Sequence, residues 1–185
     1  MTDALTAGLG GAAAASGEKA GWLREEVAFA GKRIRYRSAL SFDVVLARLR
    51  ARVGEITVAA LLDPAASREE FEKKVGQHTG DSGFTLMVQM DHGSWMEKFG
   101  IKRRLVRWIF GNPLIAITIL RHDYTAGLFV PPDLLLAEGD GGVGCNITYV
   151  LPSSLMVVEE NPELLSAARA LDAKIESLVA SAVVP

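Results

Sequence analysis

Residues 139–142 read Gly-Asp-Gly-Gly, and they separate two apolar stretches, Asp133 to Glu138 and Cys145 to Leu151. Four turn-forming residues in a row between two such stretches specify a β-hairpin, because glycine and aspartate reach the backbone angles that a tight reversal needs. A hairpin commits this part of the chain to antiparallel pairing. Further strands and helices are mixed along the rest of the sequence without regular βαβ alternation. The expected fold is therefore α+β, a single domain built on an antiparallel sheet with helices packed mainly on one face.

Other segments fill in that outline. Val27-Ala28-Phe29 and Ile34-Arg35-Tyr36-Arg37 show partial alternation and predict an early hairpin or strand. Ser41 precedes Phe42, Val45, Leu46, Leu49 and Val53 at helical spacing, with Arg48, Arg50 and Arg52 elsewhere and Gly54 as a stop. After the apolar run from Ile56 to Leu62, closed by Asp63-Pro64, the Ser67-Arg68-Glu69-Glu70 capping box predicts a helix over 68–77. Turn residues over 78–83 lead to a buried strand from Phe84 to Met90, then a helical turn around Ser94 to Phe99.

Leu105 to Phe110 reads as another strand, and Gly111-Asn112-Pro113 gives a helix start. The next residues, Leu114 to Leu120, are apolar all round; the start signal favours helix, although their isoleucines would suit a strand. Ser153-Ser154 is expected to form a turn. Asn161-Pro162 opens a last helix with Leu164, Leu165, Ala168, Leu171, Ile175 and Leu178 on one face, expected to act as a lid or to meet a partner subunit.

Bulk properties narrow the class of protein. The 185 residues, 49% hydrophobic and 23% charged, suit one core. Residues 1–21 are expected to be a flexible Ala/Gly-rich leader, with the domain over 22–185. No stretch approaches the roughly 20 unbroken apolar residues of a membrane span, so no membrane partner is expected. A formal charge of −2 argues against nucleic acid as a general partner. The single cysteine, Cys145, excludes an internal disulfide framework and fits a reducing, cytoplasmic setting.

Four motifs occur in a fixed order: Met90-Asp91-His92, Phe110-Gly111-Asn112-Pro113, Ala126-Gly127-Leu128-Phe129-Val130-Pro131 and Tyr149-Val150-Leu151-Pro152. In these the chain resembles the domain of unknown function 302 family over residues 33–158. The resemblance implies a compact α+β fold, commonly a homodimer, with no agreed substrate or cofactor. Relative to shorter members, the stretch 54–83 reads as an insertion, an added strand and helix placed to cover an edge or one side of a pocket. The leader and the C-terminal helix, 160–182, fall largely outside the resemblance.

Candidate chemistry is sparse. Asp91-His92 invites a proton-transfer role, His92 being the side chain that titrates near neutrality; the competing reading is a hydrogen-bonding or capping histidine. Asn112 stands at a helix start that could receive a carboxylate or phosphate, or simply cap the helix. Lys102, Arg103, Arg104 and Arg107 lie near Trp95 and Trp108, but strand alternation splits the basic residues between faces, against a nucleic-acid stripe. His122 and Asp123, even with His78 and His92, lack a metal-binding spacing, so no metal and no cofactor is expected. Cys145 reads as an inert buried thiol, and Asn146-Ile147-Thr148 as an unused glycosylation pattern.

The leading expectation is a homodimeric module with an apolar pocket for a small hydrophobic or anionic ligand, rimmed by His92, Trp95, Arg107, Asn112 and Tyr149, with His122 in the ligand-binding set. The alternatives are a cofactor-independent isomerase, cyclase or lyase with His92 and Asp91 as catalytic residues, and a protein-protein interaction scaffold. Both site readings assume that the Asp91-His92 and Asn112 ends meet at one margin of the sheet.

Overall fold

The structure, a computed structural model, describes residues 22–61 and 67–184. The expected leader and the Asp63-Pro64 stop lie outside the described residues. In chain order the elements are β1 (Arg33–Ser38), α1 (Phe42–Arg52), β2 (Gly54–Glu55), α2 (Val58–Leu61) and α3 (Arg68–His78). Next come β3 (Thr85–Asp91), α4 (His92–Met96), β4 (Leu105–Gly111), α5 (Pro113–Leu120) and β5 (Asp133–Glu138). The chain closes with β6 (Cys145–Val150), α6 (Pro152–Met156) and α7 (Pro162–Val183). Short 3-10 turns at Glu97–Phe99, Tyr124–Phe129 and Asp140–Gly142 link them.

The strands form one six-stranded sheet in the order β1-β6-β5-β4-β3-β2. All neighbours are antiparallel except β2, which adds two residues in parallel to the edge of β3. The Gly-Asp-Gly-Gly reversal joins β5 to β6 as the sequence predicts, with Leu135 opposite Thr148 and Leu136 opposite Ile147. The architecture is α+β.

Alternation along the strands sends Val106, Trp108 and Phe110 of β4, Leu134 and Leu136 of β5, and Ile147 of β6 to the helix side, where all are buried. Trp108 is wholly buried, and its indole N–H donates to Gln89 Oε1 on β3 at 3.0 Å, so the core tryptophan carries no orphan donor. Phe84 and Phe110 meet edge to face at 5.2 Å.

Helix starts follow local chemistry. Ser41 Oγ accepts from Val44 N, and the capping box at Ser67 and Glu70 is formed in both directions. Asn112 and Asn161 cap α5 and α7, each followed by proline at the first turn. That signal decides the apolar run after Pro113 in favour of helix.

Three expectations need correction. Val27-Ala28-Phe29 forms no strand; Phe29 instead packs its ring against Phe129 at 6.1 Å. Ser153-Ser154 lie in α6, whose first turn is capped from outside when Asp172 Oδ1, itself buried, accepts from Ser153 N at 3.0 Å. The C-terminal helix α7 is not a lid, because Leu164, Ala168, Leu171, Ile175, Leu178 and Val179 are all buried in the main core.

Under α7 the rings of Tyr36 and Tyr149 stack with centroids 6.5 Å apart, and the Tyr36 hydroxyl donates to Glu176 at 3.2 Å. Burial, reinforced by Tyr36 and Glu176, pushes the Tyr149 phenol far above its ordinary range, and burial raises Tyr36 as well.

Two outcomes follow from this core. Ile175→Ala is expected to lower stability by about 2–5 kcal/mol in urea unfolding, the cost of a core truncation; a change near zero would return α7 to the role of a lid. The buried phenols set the second. Unfolded tyrosines ionise near pH ~10, before the folded ones, so stability is full below that pH and falls as pH rises above it. Tyr149→Phe should flatten that fall when unfolding is followed from neutral to alkaline pH.

Candidate functional site

Strand β4 ends at Gly111, where the chain turns into α5 against the segment carrying Pro131 and Pro132. A Cβ at Gly111 would lie 3.0 Å from that of Pro131, so any larger residue would need the proline ring to give by a few tenths of an ångström. Asn112 then reverses the chain. Its Oδ1 accepts from Leu114 N at 2.8 Å while its Nδ2 donates to Gly83 O at 3.0 Å, tying the start of α5 to the turn before β3.

Beside this junction lies a cavity of about 320 Å³. Its wall comes from Val58 and Leu61 of α2, Phe71 of α3, Ile115 and Ala116 of α5, and the Pro131 ring, with Phe84 and Leu171 of the core also reaching it. Among the described residues Asn112 is the sole amide side chain in the wall, and its hydrogen bonds are already made within the fold. The described wall carries no charged side chain, so the cavity offers shape and apolar contact.

The segment 54–83 does two jobs here: β2 extends the sheet past β3, and α2 with α3 walls one side of the cavity. Both were possible readings of that segment. The aromatic and aliphatic wall residues Phe71, Phe84, Pro131 and Leu171 were not singled out, since they come from four places in the sequence; the adjacent Pro131-Pro132 pair was the one local signal.

Asp91 and His92 lie elsewhere. In the β3–β4 register Thr85 stands opposite Gly111 and Asp91 opposite Val106, so Asp91 and Asn112 occupy opposite ends of the strand pair. Six residues of strand separate them, on the order of 20 Å. The shared margin assumed from sequence is not formed, and the pocket rimmed by all five expected residues is not built.

At the far end Asp91 Oδ1 caps α4 by accepting from Ser94 N at 3.1 Å. The Trp95 indole N–H donates to His92 Nδ1 at 3.2 Å, with the two rings edge to face at 5.9 Å. Asp91 therefore orients the helix and not the imidazole. A polar cleft of about 460 Å³ opens beside Asp91, Glu97, Lys102 and Arg104, but His92 and Trp95 do not line it. At its margin Arg104 grips Asp43 with two guanidinium N–H groups, lies over the Phe42 ring at 4.2 Å, and holds the Asp43 carboxyl below its ordinary range.

The remaining expected residues disperse. Arg107 sits on the sheet face away from the helices, where its Nε donates to Asp133 at 2.6 Å. Tyr149 is buried, with its ring stacked on that of Tyr36. His122 is exposed just past α5, and its backbone carbonyl accepts from Asn161 Nδ2 at 3.3 Å. Among the described residues no cluster of three or more His, Cys, Asp and Glu side chains is placed to hold a metal. Cys145 is a buried free thiol whose ionisation burial opposes. No described helix is long and apolar enough to cross a membrane.

With that geometry in view, the chain can be set beside known proteins. No curated protein matches it. Among solved structures it is similar to the uncharacterized conserved protein DUF302 from Bacillus stearothermophilus, with a TM-score of 0.58 and 16% sequence identity over 81% of this chain and 97% of that one. At that identity the likeness is one of fold. The family described as Domain of unknown function DUF302 matches residues 62–182, a span that begins later than the resemblance over 33–158 and runs through most of α7. The chain belongs to this DUF302 family, whose biochemical function is undefined.

Proposed function

We propose that the protein is a small-molecule-binding module whose ligand occupies the cavity beside Asn112. The observation that carries this reading is the wall itself: a hollow of about 320 Å³ lined by Phe71, Phe84, Ile115, Ala116, Pro131 and Leu171, with its one described amide already committed to capping. Volumes of this order suit small ligands, and a wall of this chemistry favours a compact apolar molecule over an anion. An enzyme using His92 as acid or base draws less support, because Trp95 donates to its Nδ1 and Asp91 is engaged with Ser94.

A homodimer belongs to the same reading. Its support is the part of the outer sheet face over β3 and β4, away from β1 and β6, where Val88, Leu105 and Ile109 remain half-exposed. A cytoplasmic setting is supported by the buried free thiol of Cys145.

A panel of compact lipophilic compounds tested by thermal shift decides the ligand question. A true ligand at about 100 times its Kd adds about 2.7 kcal/mol, or about 5–10 °C for a chain of this size. Ala116→Phe, which fills the cavity, should abolish the shift while keeping a cooperative melt. Failure of every compound, or an undiminished shift in the filled variant, would falsify the assignment. Native mass spectrometry tests the dimer: wild type should fly as two copies and Ile109→Arg as one, whereas a monomeric wild type removes that part of the reading.

A further inference from the structure

The sheet face opposite α7 carries a second feature. On β1 the side chains of Ile34, Tyr36 and Ser38 turn toward the helices, the last two bonding to Glu176 and to the Val183 carbonyl. Arg33, Arg35 and Arg37 therefore project together from the other face, and all three are exposed. Across the register Arg35 stands opposite Thr148 and Arg37 opposite Asn146. Successive arginines are about 6.7 Å apart along the strand.

None of the three guanidinium groups has a hydrogen bond or ion pair among the described residues, and the side chains of Asn146 and Thr148 are likewise free. This distinguishes the row from its neighbours on the same face. Arg103 is held by Asp140 and Arg107 by Asp133, so those two cations are neutralised within the fold. The acidic side chains of this face are spent on them, and β1 keeps a surplus of three positive charges in a chain whose formal net charge is −2. The surplus lines a hollow of about 660 Å³ in which Arg35, Arg37, Asn146 and Thr148 take part beside the mutually paired Arg103 and Asp140, and Arg33 extends the positive rim.

From this juxtaposition we infer that the β1–β6 face is an anion-binding site for a small molecule carrying at least two phosphate or carboxylate groups about 7 Å apart. A guanidinium fork meets either group with two parallel hydrogen bonds, which a point charge cannot do. The Thr148 hydroxyl and the Asn146 amide supply uncharged donors beside them. Among the described residues no aromatic side chain lines this hollow for bases to stack on, which favours a small polyanion over single-stranded nucleic acid. The site is separate from the apolar cavity, being on the opposite side of the sheet from Leu171 and α7, so each can fail without the other.

The experiment is isothermal titration of the full chain with inorganic tripolyphosphate, citrate and orthophosphate. The expected result is saturable binding of tripolyphosphate or citrate, at least tenfold tighter than orthophosphate and weakened by added salt. Changing Arg33, Arg35 and Arg37 together to Gln should weaken it at least tenfold. A charge-matched control, with Lys73, Lys74 and Arg169 changed to Gln, should stay within twofold of wild type. Should the triple variant lose its cooperative melt, Arg35→Gln alone is read, with a loss of at least threefold expected. Absence of saturable heat from both polyanions, no preference over orthophosphate, or unchanged binding in the arginine variant overturns the inference. A twenty-nucleotide oligothymidine that binds more tightly than both polyanions also overturns it, by assigning the row to nucleic acid.

Discussion

The place of β4 between β3 and β5 governs the rest of the molecule. Its inward side chains, Val106, Trp108 and Phe110, form the middle of the core, and Trp108 is pinned to β3 through Gln89. Once that strand is fixed, α5 must begin at its end and α4 must lie beside its start. The two ends thereby acquire different characters. One is an apolar junction of glycine, proline and aromatic rings; the other is a polar cleft of carboxylates, lysine and arginines.

Much of this frame is legible in the residues. The Gly-Asp-Gly-Gly reversal, the Ser67 capping box and the Asn-Pro starts at Asn112 and Asn161 each act within a few residues, so local chemistry is enough to read them. The run after Pro113 shows the value of such a signal, because its composition alone favours neither helix nor strand. Val27 to Phe29 failed for the opposite reason: a strand needs a partner, and the chain supplies none for it.

The site was harder to read, and for a geometric reason. Asp91 and Asn112 both stand at strand ends and both look like functional positions, yet antiparallel pairing puts the end of one strand beside the beginning of the other. Applying that rule to β3 and β4 would have separated them. The cavity wall could not be read at all, since Phe71, Phe84, Pro131 and Leu171 become neighbours only through tertiary packing. The alternation over Ile34 to Arg37 was read as a strand and not as a basic row, and the lack of carboxylate partners for that row depends on where Asp133 and Asp140 fall.

The outer margins of the sheet are unequal. At one side β2 is only two residues long, too short to template the growth of another chain. At the other, six residues of β1 stand free, and guanidinium groups on alternate positions keep an identical strand from docking alongside. Protection against fibrillar stacking thus rests on charge at one border and on brevity at the other. Only the charged border is sensitive to its ionic surroundings, because dissolved salt screens exposed charge and leaves a short strand no longer.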